Sequence, residues 1–176
     1  MAITQKPNYT ILLPGILTFL LGSAVLFGWW FDFPILTHIQ VDWAAMAPVT
    51  ALCFLLSGLA LLTNRKSPQQ PVTAAQRTLV WLLLLLAGAR VVELVSGQDF
   101  GIDFLLSGMK FNNVAHMAPV TAAGFMVFAT GMLTMQLADG RETQIAVRIM
   151  AGALLITGLA IAVGFWLNFK FIFGIL

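Results

Sequence analysis

Ala44-Ala45-Met46-Ala47-Pro48-Val49-Thr50-Ala51 recurs as Ala115-His116-Met117-Ala118-Pro119-Val120-Thr121-Ala122, 71 positions further along the chain. Each copy stands where a polar loop gives way to a long uncharged run, and each continues to a phenylalanine, Phe54 in the first and Phe125 in the second. The pattern predicts an internal duplication whose unit is a membrane hairpin, because a soluble solenoid repeat would carry a charged face.

Composition supports the bilayer. Hydrophobic residues make up 60% of the chain and charged residues 9%, with a mean hydropathy of +0.94, whereas a soluble domain is about one quarter charged. Charged side chains are absent from Pro7 to Phe31, Trp43 to Asn64, Phe111 to Ala138 and Ile149 to Phe169. Each gap is long enough for a helix of about 20 residues to span. A fifth apolar run, from about Thr78 to Ser96, contains Arg90 and Glu93.

The expectation is an all-α polytopic membrane protein forming one domain over 1–176, with about five transmembrane helices built from repeated two-helix hairpins. The first repeat covers about 10–64 and the second about 78–138. A lone fifth helix follows at about 147–169, with an apolar tail at 170–176. The first helix is too long for a signal-peptide core and no small-residue cleavage site follows it, so it is expected to remain.

Lys6, Arg65, Lys66, Arg77, Arg141 and Arg148 fall on one side of these spans, and Lys110, Lys170 and most aspartates on the other. The bias predicts a bacterial cytoplasmic (inner) membrane protein with its N-terminus cytoplasmic and its C-terminus periplasmic. Trp29, Trp30, Trp43 and Trp166 fall near the outer helix ends, as interfacial rings do. The net charge of +2 is then a topology signal, and no nucleic-acid partner is expected. The outer loop Gly97 to Val114 contains Leu105, Leu106, Met109 and Phe111, which would fold onto the membrane or a partner.

Proline suits a first helical turn, where its missing N–H would have had no partner, so Pro48 and Pro119 predict helix starts. Thr50 and Thr121 then occupy the first turn, Ala51 and Ala122 permit close helix approach, and Met46 and Met117 fill the space beside the entry. One reading is a helix-start and packing device. The other is a ligand cradle made by two helix N-termini, whose dipoles favour anions.

Gly28-Trp29-Trp30-Phe31-Asp32-Phe33 has an echo in Gly164-Phe165-Trp166-Leu167-Asn168-Phe169, and Asp99-Phe100 ends the third helix in the same way. With Gly28-Trp29, Gly101-Ile102-Asp103 and the two Met-Ala-Pro-Val-Thr-Ala phrases, the chain resembles the multi-pass N-terminal membrane input domains. These stand ahead of PAS, histidine kinase and diguanylate cyclase modules in bacterial signalling proteins. The resemblance covers nearly the whole chain and implies a fold and a topology, with no secure ligand. Those domains usually carry Asn between the Pro and Thr, where this chain has Val49 and Val120. The last helix of the usual six and any output module are also missing. With its C-terminus expected outside, the chain is not expected to drive a cytoplasmic output module.

Few residues offer chemistry. Arg90 and Glu93 are three apart on one helix face and close enough to pair. Ionisable residues within a membrane default to a functional hypothesis, to be set against a structural ion pair or interhelix tether. His38 and His116 are poorly placed for bis-histidine haem. His116 is the better candidate for a metal or a chlorophyll-type magnesium, with interfacial hydrogen bonding as its ordinary alternative. Asp32, Asp99 and Asp103 could gather a hard cation at the outer mouth or serve as caps and loop residues. Cys53, alone in a helix, reads as packing.

No paired carboxylates, Cys/His metal spacing, phosphate loop or nucleophile with its base is recognisable, so no enzyme is expected. Scattered hydroxyls such as Thr18, Ser23, Ser57, Thr130 and Thr157 offer little to a hydrophilic substrate. No cofactor is required by the sequence, although pigment, quinone or lipid contact suits the Phe- and Leu-rich spans. The expected role is a non-catalytic accessory subunit of a larger membrane complex, possible hosts being photosynthetic or respiratory, with the lipid bilayer and other membrane subunits as partners. The alternative is a truncated transmembrane sensory input domain binding a small molecule near the outer helix starts.

Overall fold

The computed structural model describes residues 9–37, 45–63, 72–98, 100–102, 116–138 and 140–166. Helix α1 runs Tyr9–Phe31, the short α2 Pro34–Thr37, α3 Pro48–Thr63, α4 Ala74–Ser96, α5 Pro119–Leu137 and α6 Arg141–Trp166. The chain is an all-α polytopic membrane protein. Stretches of α1, α4, α5 and α6 are long and apolar enough to cross a bilayer, namely Ile11–Phe31, Ala74–Ser96, Pro119–Leu137 and Arg141–Val163.

The helix in the uncharged run 43–64 begins at Pro48, as its proline predicts, but is shorter than the roughly 20 residues of a span. It has 16 residues, fewer than the four long spans, because Ala45, Met46 and Ala47 enter it without helical structure. The start near Thr78 is corrected to Ala74. Thr73 caps α4 by accepting from the Gln76 amide at 3.3 Å, while the Gln76 side chain accepts from the Thr73 amide at 2.8 Å. This capping box draws Arg77 into the first turn. The fifth span starts at Arg141, earlier than the expected 147, because helical hydrogen bonding tolerates charge. Gln144 N donates to the Gly140 carbonyl at 3.2 Å, and Glu142 in the first turn suits the positive end of the helix dipole.

Helices α1 and α3 meet backbone to backbone. A Cβ on Gly22 would lie 2.5 Å from the Ala51 carbonyl oxygen and the Leu55 nitrogen, and one on Gly58 would lie 2.5 Å from the Phe19 nitrogen. Only glycine allows this approach, and in a bilayer close packing supplies much of the association energy. The neighbouring connection is tied as well: the Gln76 side-chain nitrogen donates to the Thr63 carbonyl at the end of α3.

The main core joins α3, α4 and α5, with Val49, Cys53, Val80, Leu83, Ala122 and Ala129 among its buried residues. A second small cluster holds Val25, Trp29 and Ala51 between α1 and α3. Helix α6 stands apart: among the described elements it packs only against α5. It does so where Met150 and Leu154 meet Gly131 and Gly124.

Candidate functional site

The two Met-Ala-Pro phrases build two helix entries. A residue before proline is pushed out of the helical region, and Ala118 accordingly has φ −64° and ψ 142°. The carbonyls of Ala47 and Ala118 each accept from a helix amide, from Ala51 and Ala122 respectively, both at 3.0 Å. One residue earlier, the methionine carbonyls lie outside the helical ladder, and burial makes an unpaired carbonyl costly.

A side chain from the preceding long helix reaches each one. Trp29 Nε1 donates to the Met46 carbonyl at 2.9 Å, and Arg90 Nη2 reaches the Met117 carbonyl at 3.5 Å. At the first entry the Met46 amide also donates to the Thr37 carbonyl at 2.9 Å, so α2 is tied to the nonhelical lead-in of α3.

The Arg90–Glu93 pair is formed, with Arg90 Nη1 donating to Glu93 Oε2. Glu93 Oε1 accepts from the Phe100 amide at 2.8 Å, and the buried carboxylate therefore serves two donors. The pair links the end of α4, the chain beyond it and the start of α5. Gly97, at φ 66°, turns the chain in the left-handed region that glycine favours and returns its N–H to the Glu93 carbonyl at 2.9 Å.

The entries also touch each other. Phe54 and Phe125 meet edge to face with centroids 5.1 Å apart and planes at 82°, a preferred aromatic geometry. Ala51 and Ala122 are both buried, but Val49 is 0% exposed and Val120 44%, so the second copy lies partly open. Thr50 is buried and Thr121 half-buried, Met117 is in the core and Met46 is half-buried. Pro48 is buried and Pro119 exposed.

Asp32 adopts φ 57°, and Phe33 N donates to the Gly28 carbonyl at 2.9 Å. This is a left-handed helix stop, and it gives the residue a chain-turning role. His116 is exposed beside the second entry. His38, Asp99 and Asp103 lie outside the described residues. Among the described residues no group of three His, Cys, Asp or Glu side chains could hold a metal ion. Cys53 is fully buried in the core.

Hydroxyls within the spans turn back on their own helices. Thr18 donates to Pro14 at 2.7 Å, Ser23 to Phe19 at 2.8 Å, Thr130 to Met126 at 2.7 Å and Thr157 to Ala153 at 2.8 Å. Ser57 differs, its buried Oγ having no hydrogen-bond partner. Trp29 as a carbonyl donor and Gln76 as a double cap were not anticipated from the sequence. The Gln76 role was visible in the Thr73-x-x-Gln76 spacing, whereas the Trp29 contact depends on tertiary placement.

Comparison with family models, curated proteins and solved structures gives no match for this chain.

Proposed function

We propose that the protein is a non-catalytic accessory subunit of a larger membrane complex, acting by helix packing, in a bacterial cytoplasmic membrane with its N-terminus inside. We read α3 as a fifth span and the two Pro-initiated helices as second halves of duplicated hairpins. At 1.5 Å per residue α3 covers about 24 Å, and its nonhelical lead-in adds reach.

The observation that carries the subunit reading is the state of α6. Its apolar spanning window has no buried residue, and a Cβ on Gly152 or Gly158 would meet nothing within 4 Å. Small residues on an open helix surface let another helix approach closely. The host is an energy-transducing assembly in this reading, and lipid, quinone or pigment contacts accompany the packing.

Gly158→Cys tests it, with a bifunctional thiol reagent applied to native membranes and Gly88→Cys on the open face of α4 as the comparison. A stoichiometric adduct with one other polypeptide, specific to position 158, is expected. Equal trace labelling at both positions, with purification as a small homo-oligomer, would overturn the reading.

A second reading, a sensory input domain binding a small molecule near the outer helix starts, draws support from the ionisable Arg90–Glu93 pair at the second entry. Membrane-embedded charges of this kind are a default functional hypothesis. Thr50→Val or Thr121→Val should then weaken the response of a reporter fusion, and an undiminished response in both would remove this site.

A further inference from the structure

We infer that the turn Trp30–Thr37 is a membrane-interface anchor whose partner is the headgroup and upper acyl region of the bilayer. The inference is independent of the subunit reading.

The geometry begins at Asp32, whose positive φ reverses the chain at the end of α1. The turn is held firmly. Phe33 N donates to Gly28, Leu36 N to Phe33 at 3.1 Å and Thr37 Oγ1 to Pro34 at 3.0 Å. A Cβ on Gly28 would lie 2.8 Å from the Leu36 Cβ, so α2 is folded directly onto the helix it follows. Met46 N, bonded to the Thr37 carbonyl, fixes the other end.

This rigid turn displays apolar groups outward. Ile35 is 85% exposed and Trp30 66%, with Phe31 and Phe33 also exposed. Phe27 lies 4.3 Å from the Phe31 ring and stacks with Phe33 at 6.0 Å and 5°. Asp32 is the only charged residue between Tyr9 and Thr37. A contiguous exposed apolar patch of this kind on the turn beyond a helix end marks an interaction surface.

Continuity identifies the occupant. The exposed stripe Leu13, Leu17, Leu20, Phe27 and Phe31 follows one side of α1 at spacings that keep one face. Its middle faces the hydrocarbon because α1 is a membrane-spanning helix. The ring contacts of Phe27 with Phe31 and Phe33 carry that lipid-facing surface past Asp32, and exposed Ile35 follows in the same turn. Aromatic rings at that depth favour the headgroup boundary, and a short apolar turn lying in the interface plane uses the same energetics as an interfacial helix.

The test uses the full chain with Cys53→Ala, reconstituted in phosphatidylcholine vesicles. Nitroxide labels are placed singly at Ile35→Cys and Phe33→Cys, with Leu20→Cys as the hydrocarbon reference and Gln144→Cys as the water reference. Power-saturation EPR reads collisions with oxygen and with a neutral nickel chelate. The expected result is a depth parameter at both turn positions shifted toward that of Leu20. A value equal to that of Gln144 would place the turn in water and overturn the proposal. Protection from both relaxers would show a protein cover and overturn it equally. Separated values at the two reference labels confirm that the variants have inserted.

Discussion

The indole N–H of Trp29 donates to the main-chain carbonyl of Met46 across 2.9 Å, joining the last turn of α1 to the entry of α3. The indole is therefore more than an interfacial ring: its polar edge satisfies a carbonyl that no helix amide reaches. Trp29→Phe keeps most of the buried area and removes the donor. A loss of about 1 kcal/mol is expected, read as an earlier midpoint in denaturation from detergent micelles. An unchanged midpoint would mean that water reaches Met46.

The contact of α1 with α3 leaves no room for a side chain at Gly22 or Gly58. Gly22→Ala should force the helices apart and cost about 1–3 kcal/mol, the usual range for overpacking. Gly88→Ala places the same methyl in open space and should be neutral or stabilise by up to about 1 kcal/mol through helix propensity. Opposite signs for two chemically identical changes are the expected outcome of a thermal-shift comparison.

Glu93 holds both Arg90 and the Phe100 amide. Glu93→Ala removes the carboxylate that faces a largely buried guanidinium and should cost about 3 kcal/mol. The double replacement Arg90→Met with Glu93→Leu removes both charges and should recover much of that loss. A double-mutant cycle on unfolding free energies measures the coupling, and simple additivity would show that the pair contributes nothing as a unit.

Ser57 buries an Oγ that forms no hydrogen bond. Ser57→Ala removes the desolvated hydroxyl while creating little empty volume, so stability should rise by about 1 kcal/mol. A clear loss in the same denaturation assay would indicate a partner that only the membrane-embedded protein supplies.

Much of the helix pattern was legible in the sequence because apolar runs report the solvent and proline reports local geometry. Pro48 and Pro119 do begin α3 and α5, since a fixed φ and an absent N–H act within the residue itself. Apolarity does not report conformation, however, and Ala45–Ala47 belong to the uncharged run without belonging to the helix. Charge misleads in the opposite direction: Arg141 and Arg148 read as residues of the connection before the last span, yet both lie within α6.

The candidate site divides along similar lines. The spacing of Arg90 and Glu93 placed them on one helix face, and the pair is formed. Its further reach to Met117 and Phe100, and the approach of Phe54 to Phe125, depend on helix placement that spacing alone does not fix. The difference between Val49 and Val120 is likewise invisible in two identical phrases, because exposure belongs to the neighbours.

The single-sided attachment of α6 has a consequence for biosynthesis. Chains emerge N-terminus first, and early units assemble before later ones are made. Helices α1 and α3, joined through contacts only glycine permits, can dock while α6 is still being synthesised. Helix α6 then joins the helices made before it through α5, its one contact among the described elements. A later helix held on one side in this way can be displaced without dismantling the helices that precede it.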